Sequence, residues 1–346
     1  MVTLHKKNLK SQRLRKQGML GNLLERRDES ARDASSALAS WISPVSLTYA
    51  RENRPTIEKT LVRLESSELH LGENRPLKPF LSVVVPVLNG QATLKETLES
   101  IVGQDQETEI IVVDGGSTDG TLELIQSYKK HLTCWISEKD ESMYDGINKG
   151  IALCKGEIIK ILNADDCLTS HSLSIAKENF VAQGQEHCLR GSMCRTDETT
   201  GRVVEIWNAK DKTLTSPSFF PILHPSWYVP KAVYEKHGLY LPYFKIAADQ
   251  EYFLHLNQEK VSFQFSKEPL VEFRMGGMSA SYKGFFETVE TNTVYLGRLR
   301  TIAMGAETVV KKSRYKIFET LVGKEKAPQR WADFKKQIRK TKEFLR

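Results

Sequence analysis

The chain has 346 residues, room for one large domain with extensions or for two domains. Its hydrophobic share of 40% is that of a globular protein, and no run of about 18 apolar residues is present to span a bilayer. The formal charge of +7 is uneven: residues 1–27 carry +7, residues 298–346 carry +10 and the middle carries −10, which argues against a nucleic-acid groove through the core.

The basic ends, with leucines interspersed, suit an anionic membrane face as well as a solvated helix surface. The N-terminus lacks the apolar core of a secretory signal. Cys134, Cys154, Cys167, Cys188 and Cys194 form no C-x-x-C pair and no zinc spacing, which predicts reduced thiols in a cytoplasmic protein.

Residues 1–79 show no strand pattern and read as a basic, partly helical extension, with Arg54-Pro55 and Arg75-Pro76 as linker punctuation. A domain over 80–283 follows. Its first run, residues 81–87, is almost continuously β-branched and suits a central parallel strand. Leu94, Leu98 and Ile101 then recur at helical spacing. Residues 109–113 form a second buried strand that ends in Asp114-Gly115-Gly116-Ser117-Thr118-Asp119-Gly120. A helix through Leu122, Leu124 and Ile125 leads to a third strand at 132–136. Met143, Ile147, Ile151 and Cys154 give one apolar helix face, and a strand at 157–162 closes the series. This alternation predicts an α/β fold with a doubly wound, mostly parallel sheet. Strand-like pieces at 188–194 and 202–207, a helix opening at Asp249 and a strand-like 261–273 complete the domain. Residues 284–346 read as a basic helical C-terminal region.

The most informative segment is Ile161-Leu162-Asn163-Ala164-Asp165-Asp166, where a buried strand ends in two adjacent carboxylates. In an open α/β sheet, ligands bind at the carboxyl ends of strands. Two carboxylates there repel unless a cation or a donor neutralises them. A hard divalent metal, itself held by a nucleotide's phosphates, is an economical partner, although a solvated turn would account for an isolated Asp-Asp pair. Asp114 stands at the tip of the second strand among glycines that let a ligand approach the backbone. Its carboxylate could accept the N–H of a base edge, and Asp119 could cap the next helix. Asn148 or Lys149 could face a diphosphate. His224 reads toward an acceptor, an acceptor phosphate or a metal, or as a histidine satisfied within a loop. Trp227, Tyr240 and Tyr243 could stack on a sugar or belong to the core.

Ser82-Val83-Val84-Val85-Pro86-Val87-Leu88-Asn89-Gly90, followed by Val112-Val113-Asp114-Gly115-Gly116-Ser117-Thr118-Asp119-Gly120-Thr121, resembles the opening of the family 2 glycosyltransferases. These have the GT-A fold, a Rossmann-like nucleotide-diphospho-sugar transferase architecture. Ser137 to Gly150 is similar to a bacterial subgroup that builds exopolysaccharide, capsule or lipopolysaccharide. Leu162 to Asp166 falls at the family's metal-binding DXD-like position. His224, Gly238, Tyr240 and Ile246-Ala247-Ala248-Asp249 extend the likeness over about 81–280.

The resemblance implies a nucleotide-sugar donor, with a UDP-sugar favoured, and a divalent cation, Mn²⁺ or Mg²⁺. Pro86 and Asn89 would border the nucleoside, and Asp114 would read the base, although many members have a second Asp where this chain has Gly115. Asp166 would hold the metal, Asp165 would lie nearer ribose and donor sugar, and Asp249 would be the general base. Arg274 to Ser279 resembles a flexible segment that folds over bound donor. The implied reaction is an inverting, metal-dependent transfer to a hydroxyl of a glycan or lipid-linked acceptor in bacterial surface polysaccharide synthesis, in the cytoplasm or peripherally on the inner face of the plasma membrane. The competing readings are a non-catalytic sugar-nucleotide-binding assembly module and a sugar nucleotidyltransferase. Val87-Leu88-Asn89-Gly90 lacks the Gly-rich, Arg- and Lys-bearing signature of the latter.

Overall fold

The computed structural model describes residues 47–104, 107–196, 203–208, 222–274, 282–297 and 301. The described residues all belong to one compact unit. In chain order the elements are α1 (Leu47–Glu52), α2 (Ile57–Leu64), β1 (Leu69–Leu71), β2 (Leu81–Val87), α3 (Leu94–Val102), β3 (Glu109–Asp114), α4 (Thr121–Ser127) and β4 (Cys134–Ser137). They continue as α5 (Met143–Leu153), β5 (Ile158–Ile161), β6 (Cys167–Leu168), α6 (Ser172–Gln183), β7 (His187–Thr196) and β8 (Val203–Trp207). A 3₁₀ turn (His224–Ser226), β9 (Trp227–Pro230), α7 (Lys231–His237), α8 (Ala248–Gln258), β10 (Ser262–Arg274) and α9 (Tyr282–Leu296) complete them.

One sheet runs in the order β1-β4-β3-β2-β5-β9-β7-β10-β6, with β8 beside β7. The stretch β4-β3-β2-β5 is parallel throughout. Every residue of β2 and β3 is buried, as strands covered on both faces require. Alternate residues serve opposite faces. Val83, Val85, Ile110 and Val112 join Leu94, Leu98, Ile101 and Ile125 in the main core. Val84 and Val113 face α5 instead, and there Gly150 permits close approach: a Cβ on it would lie 2.2 Å from Val84 Cγ1. Both β3 and β4 lie on one side of β2, and β5 lies on the other. The strand order therefore reverses beside β2, and the strand tips there border the natural ligand crevice.

Beyond β5 the sheet departs from the expected parallel pattern. β9 pairs antiparallel with both β5 and β7, β7 pairs parallel with β10, and β10 pairs antiparallel with β6. The fold is thus a mixed α/β sheet around a parallel core. Two further expectations change. Residues 69–71, read as strandless, add β1 antiparallel to β4, with His70 stacked on Trp135 at a centroid distance of 5.2 Å. Helix α6 was absent from the sequence reading, although Leu173, Ala176 and Phe180 recur on one buried face. All five cysteines are unpaired, and no described helix is long and apolar enough to cross a membrane.

Residues 47–64 do not hang free of this sheet. Thr56 caps α2 by accepting the Lys59 N–H at 3.2 Å. Just before it, buried Arg54 donates to Glu251 of α8 at 2.5 Å and to the Leu239 carbonyl at 2.9 Å. Its guanidinium lies 5.7 Å from the Tyr252 ring centre. Glu251 is fully buried and also accepts from Tyr295 of α9. Removing one member of such a pair strands a buried charge. Arg54→Met is expected to cost about 3–5 kcal/mol in urea unfolding. A loss under about 1 kcal/mol would contradict this role for Arg54.

Candidate active site at the strand tips

Strand register sets Val87, Asp114 and Ser137 side by side. The loops that follow are tied together by polar side chains. Asp114 Oδ1 accepts from the Ser117 hydroxyl at 2.5 Å, and Oδ2 accepts from the Ser137 hydroxyl at 2.6 Å. Asn89 has a left-handed backbone with φ of 51°, a region Asn tolerates. Its N–H donates to Ser117 Oγ at 2.7 Å, and its Oδ1 accepts the Thr118 N–H at 2.9 Å. Asp119 accepts the Gln91 and Thr121 N–H groups at 3.2 and 3.0 Å and so braces the start of α4. Pro86 lies buried in β2 opposite Val113. The fold therefore brings Pro86, Asn89 and Asp114 together. Asp114, expected to read the base, is fully buried and its carboxylate is bonded by two serines. It ties the loop, and the loop presents the edge.

Asn148 and Lys149, expected to face a diphosphate, both have protein partners. Asn148 is buried in α5, where its amide donates to the Tyr240 carbonyl at 2.8 Å and accepts the Tyr240 N–H at 3.0 Å. Lys149 is buried and bonds Glu138 at 2.5 Å and Asp140 at 2.7 Å. Burial opposes its charge, but those carboxylates hold its pKa above the ordinary lysine value. Asp145 pairs with Arg63 at 2.9 Å. Glycine makes this cluster possible: a Cβ on Gly146 would lie 2.4 Å from Asp140 Oδ2, and one on Gly115 would lie 3.2 Å from it.

At the tip of β5 the two adjacent carboxylates take different environments. Asp166 is fully buried. Its Oδ1 accepts the Arg274 N–H at 3.2 Å and its Oδ2 accepts from the Asn163 amide at 3.1 Å. Thr97 of α3 bonds its carbonyl at 2.8 Å. Burial, then the neighbouring charge of Asp165, pushes the Asp166 pKa up to about 7. Asp165 is only partly buried, and burial raises its pKa against the pull of Arg274. The inward Asp166 anchors the strand tip, and Asp165, expected nearer ribose and sugar, is the more exposed of the two carboxylates. A hard divalent ion held mainly by phosphate oxygens and water needs only one or two protein carboxylates. Asp165 meets that requirement. Among the described residues no group of three or more His, Cys, Asp or Glu side chains could hold an ion alone. Arg274 ends β10 with its guanidinium paired to Glu96 of α3. The remainder of its segment, 275–281, lies outside the described residues, as do the basic residues 1–27 and 302–346.

Asp249 lies in the first turn of α8, one residue inside the predicted opening, since Ala248 is the first helical residue. The carboxylate bonds the Gln250 N–H at 2.7 Å. Burial pushes its pKa up to about 6, while the Gln250 N–H and the Tyr144 hydroxyl pull it down and Glu287 adds to the rise. Tyr144 is buried in α5 and donates to the Ile246 carbonyl at 2.9 Å. A carboxylate with this pKa is ionised at neutral pH and is a stronger base than an ordinary one.

His224 is not at an open site. Its Nε2 bonds the Tyr240 hydroxyl at 2.7 Å, and its ring packs 5.2 Å from Trp227. The ring is thus buried and has a partner within the protein. Trp227 and Tyr240 are likewise core residues, while Tyr243 is 42% exposed. Burial, with Lys160 adding to it, pushes the His224 pKa down to about 3. Below about 6.5 the unfolded chain therefore gains a proton that the folded chain refuses, and stability falls with pH until about 3. His224→Gln is expected to flatten this decline between pH 6.5 and 4 in urea unfolding. Identical slopes for both proteins would contradict a neutral, buried His224.

Residues 82–224, which span the strands and most of the loops of this site, match the Glycosyl transferase family 2 profile. A Mycobacterium tuberculosis protein named "PGL/p-HBAD biosynthesis glycosyltransferase" is 36% identical over 94 residues, which is 26% of this chain and 37% of that protein. The chain thus spans little more than a third of that relative. A Haemophilus influenzae protein, "Uncharacterized glycosyltransferase", is 23% identical over 230 residues, covering 64% of this chain and 89% of the relative. The crystal structure of S. aureus TarS 1–349 in complex with UDP-GlcNAc superposes with a TM-score of 0.50 at 20% identity, over 60% of this chain and 64% of that one. That likeness shows the shared GT-A-like fold. With its parallel core and its strand-tip carboxylates, the chain carries over residues 82–224 a segment similar to glycosyl transferase family 2.

Proposed function

We propose that the chain is a glycosyltransferase that moves a sugar from a nucleotide-diphosphate donor to a hydroxyl by a metal-assisted, inverting displacement. The observation that carries this reading is the half-buried Asp249, with its pKa pushed up to about 6, on a domain whose strand tips carry the partly exposed Asp165. An acceptor hydroxyl needs a base as it attacks the anomeric carbon. Asp249 takes that proton. A retaining double displacement would need a second, nucleophilic carboxylate close by. Glu287 is the nearby candidate, but it is engaged with two backbone N–H groups at 2.7 and 3.0 Å. A single displacement with inversion follows.

Asp165 would hold Mg²⁺ or Mn²⁺ together with the donor's phosphates, and such an ion neutralises charge that builds on the departing diphosphate. The loops of Asn89 and Asp114 frame the nucleoside. A UDP-sugar is favoured, in keeping with the UDP-GlcNAc bound by the TarS structure. The acceptor would be a glycan or a lipid-linked sugar in surface glycan synthesis. The basic ends, 1–27 and 298–346, would hold the enzyme at an anionic membrane on its cytoplasmic side. Salt-sensitive co-sedimentation with anionic vesicles is expected, and its absence at low salt would remove this part of the proposal.

The main alternative is a sugar-nucleotide-binding module without turnover. A thermal-shift screen of UDP, GDP, CDP and ADP with Mn²⁺ separates the readings. One nucleotide is expected to give a metal-dependent shift that Asp165→Ala loses. Asp249→Asn should keep that shift while donor turnover falls by about 10² or more. No shift with any nucleotide would sink the donor site. Equal turnover in Asp249→Asn would remove Asp249 as the base.

A further inference from the structure

Helix α8 carries Asp249 but has no cap of its own, since its N-cap residue is Ala247. The N–H groups entering that helix must be satisfied from elsewhere. Ile246 and Ala247 both donate to Glu287 Oε2 of α9, at 2.7 and 3.0 Å. The two helices are keyed further along. Gln250 donates to Asn292 at 3.3 Å, and Tyr295 donates to Glu251, where Arg54 also binds. Glu287, Asn292 and Tyr295 thus form one face of α9 along the first turns of α8. Among the described residues no lysine or arginine pairs with Glu287.

We propose that Glu287 is a positioning residue for the reaction: it caps the helix that carries Asp249 and sets a fixed negative charge beside that carboxylate. This rests on the reading of Asp249 as the base. The titratable groups that face Asp249 are Tyr144 from α5, Tyr240 from the segment before α8, and Glu287 from α9. Neither tyrosine is charged at neutral pH, because burial raises the pKa of each. Glu290, the next acid along α9, is bonded to Tyr243 at 3.2 Å, and Lys245 bonds the Glu141 carbonyl at 3.2 Å. Among the described residues, the one charge that adjusts Asp249 from a neighbouring element is therefore Glu287. Like charges disfavour ionisation, so Glu287 keeps the proton on Asp249 to a higher pH. A more basic carboxylate is a better acceptor for a hydroxyl proton.

The test needs no donor. Carboxyl-labelled aspartate is titrated by NMR in the full chain, with the Asp249 signal assigned by its loss in Asp249→Asn. Glu287→Gln keeps an acceptor oxygen but removes the charge, and is expected to lower the Asp249 pKa by about half a unit or more. Glu287→Ala should lower it as well. In addition, exchange of the Ile246 and Ala247 amides should become about tenfold faster or more in Glu287→Ala, while Glu287→Gln restores most of the protection. An Asp249 pKa unmoved in both variants, or amide protection unchanged in Glu287→Ala, would overturn the proposal. Turnover of Asp249→Asn is a separate arm. If that variant still transfers sugar, the base reading falls and this role falls with it. If it is inactive and the titration shows no shift, only the role of Glu287 fails.

Discussion

Two carboxylates buried at strand tips constrain everything around the candidate site. Asp114 ends β3 and Asp166 follows β5, and neither reaches solvent. A buried carboxylate without donors is costly, so each must draw hydrogen bonds from its surroundings. Asp114 draws Ser117 and Ser137 inward and thereby shapes the loops after β3 and β4. Asp166 draws the Arg274 N–H and the Asn163 amide and thereby joins the tip of β5 to the end of β10. The reactive geometry follows from this requirement. Because Asp166 turns inward, its neighbour Asp165 is left facing out.

Helix α5 carries the second constraint. Gly150 lets it lie so close to β2 that a Cβ there would collide with Val84, and Gly146 leaves room for the Asp140 carboxylate. From that position its residues reach in several directions. Lys149 gathers Glu138 and Asp140 on the nucleoside side. Asn148 pins the Tyr240 backbone, whose hydroxyl holds His224. Tyr144 bonds the Ile246 carbonyl just ahead of Asp249. One helix thus links the loops at the tips of β3 and β4 to the helix that carries Asp249. Asn148 and His224, both expected to touch ligand, are joints of this linkage.

What could be read from the sequence follows physical lines. The four parallel strands announced themselves through unbroken apolar runs, because strands covered on both faces need them. β1 escaped because three half-exposed residues at a sheet edge carry no period, and Leu69 and Leu71 are largely exposed. β9 escaped because Trp227–Pro230 is short and its aromatic residues also read as sugar-stacking groups. Helix α6 was legible in Leu173, Ala176 and Phe180 and was missed. The existence of a carboxylate site after β5 was plain in Asp165-Asp166. Which of the two faces inward was not, because that choice is made by Arg274, 108 residues away. The same holds for Asp249: its place at a helix start was legible, but the Glu287 cap comes from another helix.

The arrangement stands or falls on where an ion and a nucleotide settle. Anomalous diffraction from a crystal soaked with Mn²⁺ and UDP addresses this directly. A manganese peak about 2.0–2.2 Å from an Asp165 oxygen, with the nucleoside against the loops of Asn89 and Ser117, is the expected result. A peak bound to Asp166 with Asp165 turned away, or a nucleotide seated away from the tips of β2, β3 and β5, would contradict it.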